Sequence, residues 1–162
     1  MKNFIAIFVL SLGLATFSST FAQEWQSYTW EKYSTKFKIP TDFEVTESTG
    51  DKFEASNNVI NLTIYPFKYE YKTYEAMETG LTDWAEKSKV SYNKNEELIQ
   101  LDETKMNGYW GMLLEGTKDD FPVGMLLIAD PDYPDITLYI WVSYYEDQVD
   151  IVLEMLMSFT PM

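Results

Sequence analysis

Val123 to Ala129 is an unbroken apolar run of seven residues in a chain of net charge −14. It is too short for a membrane span, which takes roughly 20 apolar residues, and it has the length of a strand. Side chains alternate along a strand, so this one is apolar on both faces and belongs at the centre of a sheet. Its sequence neighbours fit that sheet. Ile136 to Tyr144 is β-branched and aromatic, Tyr109 to Glu115 reads as a returning strand, and Glu97 to Thr104 carries Leu98, Ile99 and Leu101. Asn107-Gly108 is the dipeptide that two-residue type I′ hairpins favour, and it predicts such a hairpin there. Gly116 to Pro122 reads as an acidic turn.

The earlier part of the chain also reads as strands. Trp25 to Tyr33 is aromatic-rich and opens as an edge strand. Lys36 to Ile39 alternates charge with apolar residues until Pro40 stops it. Phe43 to Val45 and Lys52 to Ala55 flank a turn at Ser48-Thr49-Gly50-Asp51. From Val59 to Tyr65, Val59, Asn61, Thr63 and Tyr65 share one face and Ile60, Leu62 and Ile64 the other, with Pro66 as the expected end.

Two segments carry the helical period instead. Tyr74, Met77, Leu81, Trp84 and Ala85 make one apolar stripe in Thr73 to Lys89, with Thr73 as the cap. Glu75 and Glu78 in its first turn, and Lys87 and Lys89 in its last, suit the helix dipole, while Gly80 weakens it. Val149, Val152, Leu153 and Leu156 make a second stripe, with Asp147 and Asp150 as a capping box. Strands in hairpin succession make a mainly antiparallel sheet, and each one-faced helix must pack on it. The fold class is α+β, a mainly antiparallel sheet with two packed helices, and helices on opposite faces would make an αβα sandwich.

Local phrases add a resemblance. Ile39-Pro40-Thr41-Asp42-Phe43 ends an early strand in an aliphatic-Pro pair followed by a small polar residue and an aromatic. A helix follows the first sheet half, hairpins come next, and the C-terminal helix ends in Ser158-Phe159. In these features the chain resembles the Mog1/PsbP-like superfamily, including its bacterial periplasmic members of the DcrB type. The resemblance covers residues 23–162 and implies an αβα sandwich with a non-enzymatic accessory or binding role. It brings no catalytic residues with it.

Residues 1–22 read as a signal peptide. Lys2 supplies the positive end, Phe4 to Phe17 is uncharged, Ser18 to Thr20 is polar, and Thr20-Phe21-Ala22 offers a small-x-small cleavage site. Cleavage after Ala22 leaves a single α+β domain of residues 23–162 in the periplasm or outside the cell. It keeps all 26 acids against eleven lysines, with no second apolar run to span a membrane. Such a surface repels nucleic acid and anionic headgroups. The chain has no His, no Cys and no Arg. Ser-His-Asp and Cys-His nucleophile systems, His/Cys metal centres and disulfides are therefore out of reach.

The candidate sites are built from what remains. The chain has 5 Trp, 12 Tyr and 10 Phe, and these cluster. Exposed aromatics anchor partners because they bring large area at low entropy cost. Tyr65, Phe67, Tyr69 and Tyr71 alternate with Lys68, Glu70 and Lys72, which puts all four rings on one side of an extended segment. They are the leading binding surface for an envelope protein or small ligand, with no cofactor. Asp130, Asp132 and Asp135 lie within six residues and suit a calcium-dependent interaction module, or simply a turn rich in Asp and Pro. If the loop Lys118-Asp119-Asp120, with Glu115 upstream of it, shares a rim with them, the five acids of the two loops converge. A small carboxylate-dependent glycan hydrolase is the other alternative, and it needs two facing acids in a cleft.

Overall fold

The computed structural model describes residues 23–132 and 135–162. The expected signal peptide, residues 1–22, lies outside the described residues. Ten strands and two α-helices follow one another: β1 (Trp25–Trp30), β2 (Thr35–Pro40), β3 (Glu44–Ser48), β4 (Phe53–Ser56), β5 (Ile60–Phe67), α1 (Tyr74–Lys87), β6 (Ile99–Leu101), β7 (Trp110–Lys118), β8 (Phe121–Ala129), β9 (Thr137–Tyr144), α2 (Val149–Leu156) and β10 (Thr160–Pro161). The large sheet runs β3-β4-β5-β9-β8-β7-β6, and the small one runs β1-β2-β10. Every pairing is antiparallel. The fold is α+β, as expected.

β8 organises the molecule. It lies between β7 and β9, and Val123 to Ala129 are all buried. Val123, Met125, Leu127 and Ala129 point to one side, into a core closed by Met77, Leu81 and Ala85 of α1. Leu126 and Ile128 point to the other, into a core shared with Phe37 and Ile39 of the small sheet and Val152, Met155 and Leu156 of α2. Gly124 faces Leu156 at ordinary contact distance. The large sheet is thus a middle layer, with α1 outside one face and the small sheet and α2 outside the other.

Where the structure departs from the sequence reading, a neighbour decides. β5 runs through Pro66 to Phe67, because β4 pairs with it only as far as Ile64. Beyond that point β5 is an edge on its β4 side, where the missing Pro N–H leaves no partner without a bond. The strand expected over Glu97–Thr104 shrinks to Ile99–Leu101. Asn107-Gly108 closes no two-residue hairpin, since residues 102–109 separate β6 from β7. Asn107 is left-handed (φ 54°), and its amide donates to the carbonyls of Met157 (2.8 Å) and Phe159 (3.1 Å), tying down the C-terminus. The two-residue turn with both φ positive is Asp119-Asp120, between the paired Lys118 and Phe121. Asp147 caps nothing: it lies in a 3-10 turn, Gln148 precedes α2, and Val149 is exposed.

Thr73 does cap α1, its hydroxyl accepting from the Ala76 N–H at 3.2 Å. Gly80, the weak point of that helix by propensity, has a packing reason. A Cβ there would overlap the hydroxyl and ring of Tyr71.

Candidate functional site

α1 covers only part of its face of the large sheet. It packs over β7 and β8. The flanking strands β9 and β5 present the rest of that face beside it. In the β5–β9 register Tyr65 lies opposite Tyr139 and Thr63 opposite Trp141. Alternation then puts Asn61, Thr63, Tyr65 and Phe67 on the same side as Tyr139, Trp141 and Ser143. This side carries aromatic and neutral polar residues, whereas Ile60, Leu62 and Ile64 on the opposite side are core.

The rings form a connected set. Trp84 projects from the flank of α1 and stands edge-on to Tyr139 at 5.1 Å and to Trp141 at 6.0 Å between centroids. Phe67 meets Tyr139 edge-on at 4.6 Å. Such edge-to-face pairs fix one another's orientation. The Lys118 ammonium lies 5.4 Å from the Trp141 ring centroid, on its face. Phe121 and Tyr145 continue the surface as a further edge-on pair at 5.8 Å.

Three adjoining hollows follow these rings. One of about 910 Å³ lies between α1 and the segment after β5, walled by Phe67, Tyr69, Tyr71, Asp83, Trp84 and Tyr139. Phe67 and Trp84 also border the next, about 470 Å³, with Asn61, Thr63, Tyr65, Lys118 and Trp141. Trp141, Asn61 and Lys118 border the third, about 500 Å³, which reaches Phe121, Ser143 and Tyr145. Together they are an open trough across the sheet.

The four predicted aromatics divide within it. Tyr65, Phe67 and Tyr69 are exposed at 36%, 49% and 56%, but Tyr71 is 6% exposed. The correction has a plain cause: β5 ends at Phe67, so the two-residue alternation does not continue to residue 71. Tyr71 turns inward instead, shares a hydrogen bond with the Tyr139 hydroxyl and fills the space left by Gly80. Burial raises the pKa of both hydroxyls, so the pair stays neutral. Thr137 donates to the Tyr69 carbonyl at 2.7 Å. The connection from β5 to α1 is therefore pinned at two points, and Tyr69 is held out over the trough, its ring 4.6 Å from that of Tyr71.

Sequence reasoning missed Trp84, counted as a core position of α1. It also missed Lys118 and Phe121, assigned to a turn but seated on β7 and β8. The signal available was the shared face of Asn61, Thr63 and Tyr65. A pairing of β5 with β9 was needed to bring Trp141 beside them.

The acidic candidates do not come together. Asp119-Asp120 precedes β8 and Asp130 follows it, so a nine-residue strand, roughly 27 Å from first to last residue, separates them. The two acidic segments share no rim. Asp130 accepts from the Asp132 N–H at 2.9 Å, the bond of an Asx turn. Among the described residues no three acidic side chains are grouped as metal ligands.

An antiparallel α+β sandwich with one open aromatic face is thus the class that fold and face define. The chain has the Mog1/PsbP-like fold. It is similar to the Ran-binding protein Mog1p of Saccharomyces cerevisiae, with a TM-score of 0.56 at 11% identity over 86% of this chain and 96% of that one. It is also similar to cyanobacterial PsbP (CyanoP) of Synechocystis, with a TM-score of 0.60 at 14% identity over 92% and 99%. No protein-family model and no curated protein matches the sequence.

Proposed function

We propose that this chain is an exported, non-catalytic accessory protein that holds a protein partner of the bacterial envelope in the aromatic trough beside α1. The observation that carries this is the exposure of Phe67 and Tyr69 next to half-buried Trp84 and Trp141, on a sheet face that α1 leaves open. Large rings held in place by their neighbours lose little entropy on binding, which is why such residues dominate interfaces. The fold supports the reading by analogy, since Mog1p is a Ran-binding protein. The apolar leader at residues 1–22 supports export. A hydrolase fits the trough less well. Glu75 and Asp83, the carboxylates of its first hollow, lie eight residues apart on one helix, about 12 Å along the axis, and Asp119 borders only the third hollow, whereas glycosidases need two acids facing each other across the bond.

Crosslinking the exported protein in its own envelope and recovering it tests the proposal. A partner captured by the wild type and lost in Phe67→Ala/Tyr69→Ala is the expected result. These side chains are exposed, so the variant should melt within about 1 kcal/mol of wild type. Equal capture by both proteins would remove the trough from the interface. Mass spectrometry of the exported form should find Gln23 at its N-terminus.

A further inference from the structure

We infer that β1 is a strand-addition site for an acidic, extended peptide segment of a partner. Sheet edges attract stray strands, and proteins blunt them with charge, proline, bulges or brevity. Among the described residues, three of the four outermost strands are blunted. β3 carries Glu44 and Glu47 and is irregular between Val45 and Glu47. β6 has three residues. β10 has two, the second Pro161. β1 has none of these devices. Its six residues, Trp-Gln-Ser-Tyr-Thr-Trp, include no charge and no proline. They pair with β2 in unbroken register from Trp25↔Pro40 to Trp30↔Thr35. Outside that ladder, no turn or loop backbone–backbone hydrogen bond among the described residues involves Trp25 to Thr29.

The strand is also held rigid, which lowers the cost of adding another. Tyr28 and Trp30 pack their rings against Phe53 at 4.6 and 6.0 Å, and Trp30 Nε1 donates to the Thr49 carbonyl at 3.1 Å. The outer face sets the chemistry of the guest. There Ser27 and Thr29 are exposed, and directly across on β2 stand exposed Lys38 and Lys36. Neither lysine is ion-paired among the described residues, although acids outnumber lysines about two to one in the chain. A guest strand beside β1 puts alternate side chains next to the small Ser27 and Thr29, within reach of the lysine ammonium groups. Carboxylates at those positions complete the pairing. A second copy of β1 has no carboxylate to offer, and two strongly acidic molecules repel. The edge belongs to the small sheet, across the molecule from the aromatic trough, so it does not depend on the trough's role.

A synthetic peptide of alternating Glu and Val, titrated into the full domain and read by amide exchange, tests this. Binding should slow exchange at amides within Trp25 to Trp30. It should weaken by about tenfold in Lys36→Glu/Lys38→Glu, and fall with added salt. Methylating alternate backbone nitrogens of the peptide should abolish it, with the protein unchanged. The matching Lys and Val peptide should not bind. No binding, binding indifferent to N-methylation, protection at Tyr65 to Tyr69 in place of β1, or protection that rises with protein concentration alone would each overturn the assignment.

Discussion

At the scale of single residues, the trough is braced by the packing of Tyr71 against Gly80. Gly80 costs α1 about 1 kcal/mol relative to alanine, yet it makes room for Tyr71, which braces Tyr139 and through it Trp84 and Phe67. Gly80→Ala is therefore expected to destabilise the protein by about 1–3 kcal/mol, because overpacking against a buried ring outweighs the propensity gain. In a Tyr71→Ala background the same change should stabilise, by up to about 1 kcal/mol. Urea unfolding of the four proteins reads the sign reversal, and a Gly80→Ala that destabilises equally in both backgrounds would show that the ring is not the cause. Asn107 has a similarly non-local job. Its left-handed backbone is what a turn reading anticipates, but its amide is spent on the chain end fifty residues away.

Elements were legible where their period was long and clean, and their ends were less so. Each expected strand is present and both helices form, but α2 buries Met155 with Val152 and Leu156 and leaves Val149, expected in its stripe, exposed. The turn between β7 and β8 shows why ends are harder. Asp119 and Asp120 both have positive φ, at 51° and 68°, a conformation that Asn-Gly adopts at lower cost. Asp119→Asn/Asp120→Gly is expected to raise stability by about 0.5–1 kcal/mol, as a shift in the urea midpoint at constant slope. The reason the dipeptide rule pointed elsewhere is competition: at Asn107-Gly108 the C-terminus needed the Asn amide, while the β7–β8 ladder enforced a tight turn on two aspartates. Pro66 is the same lesson in a strand, tolerated because β4 had already ended.

For the whole molecule, burial of tyrosines sets the alkaline limit. Tyr109 is pushed up to about 12 by burial, against 10.0 for a free phenol, although its 2.8 Å hydrogen bond with Thr35 works the other way. Burial likewise raises Tyr71, Tyr74, Tyr139 and Tyr144. Above pH 10 the unfolded chain loses these protons and the folded chain keeps them, so stability falls as pH rises. Tyr109 alone accounts for on the order of 2 kcal/mol, fully present below pH 10 and gone by about 12. Urea midpoints measured from pH 8 to 12 should stay level and then decline from about pH 10, with a smaller decline in Tyr109→Phe. Sequence alone determined the α+β class, the central place of Val123–Ala129, the two helical stripes and the absence of His, Cys and Arg chemistry, because periodicity and composition are local properties. Only the tertiary structure decided which aromatics are exposed, that the two acidic segments lie at opposite ends of β8, and that β1, among the outermost strands described, has none of the devices that blunt an edge. Those facts depend on strand order and on which face α1 leaves open, and both are set by contacts between residues far apart in the chain.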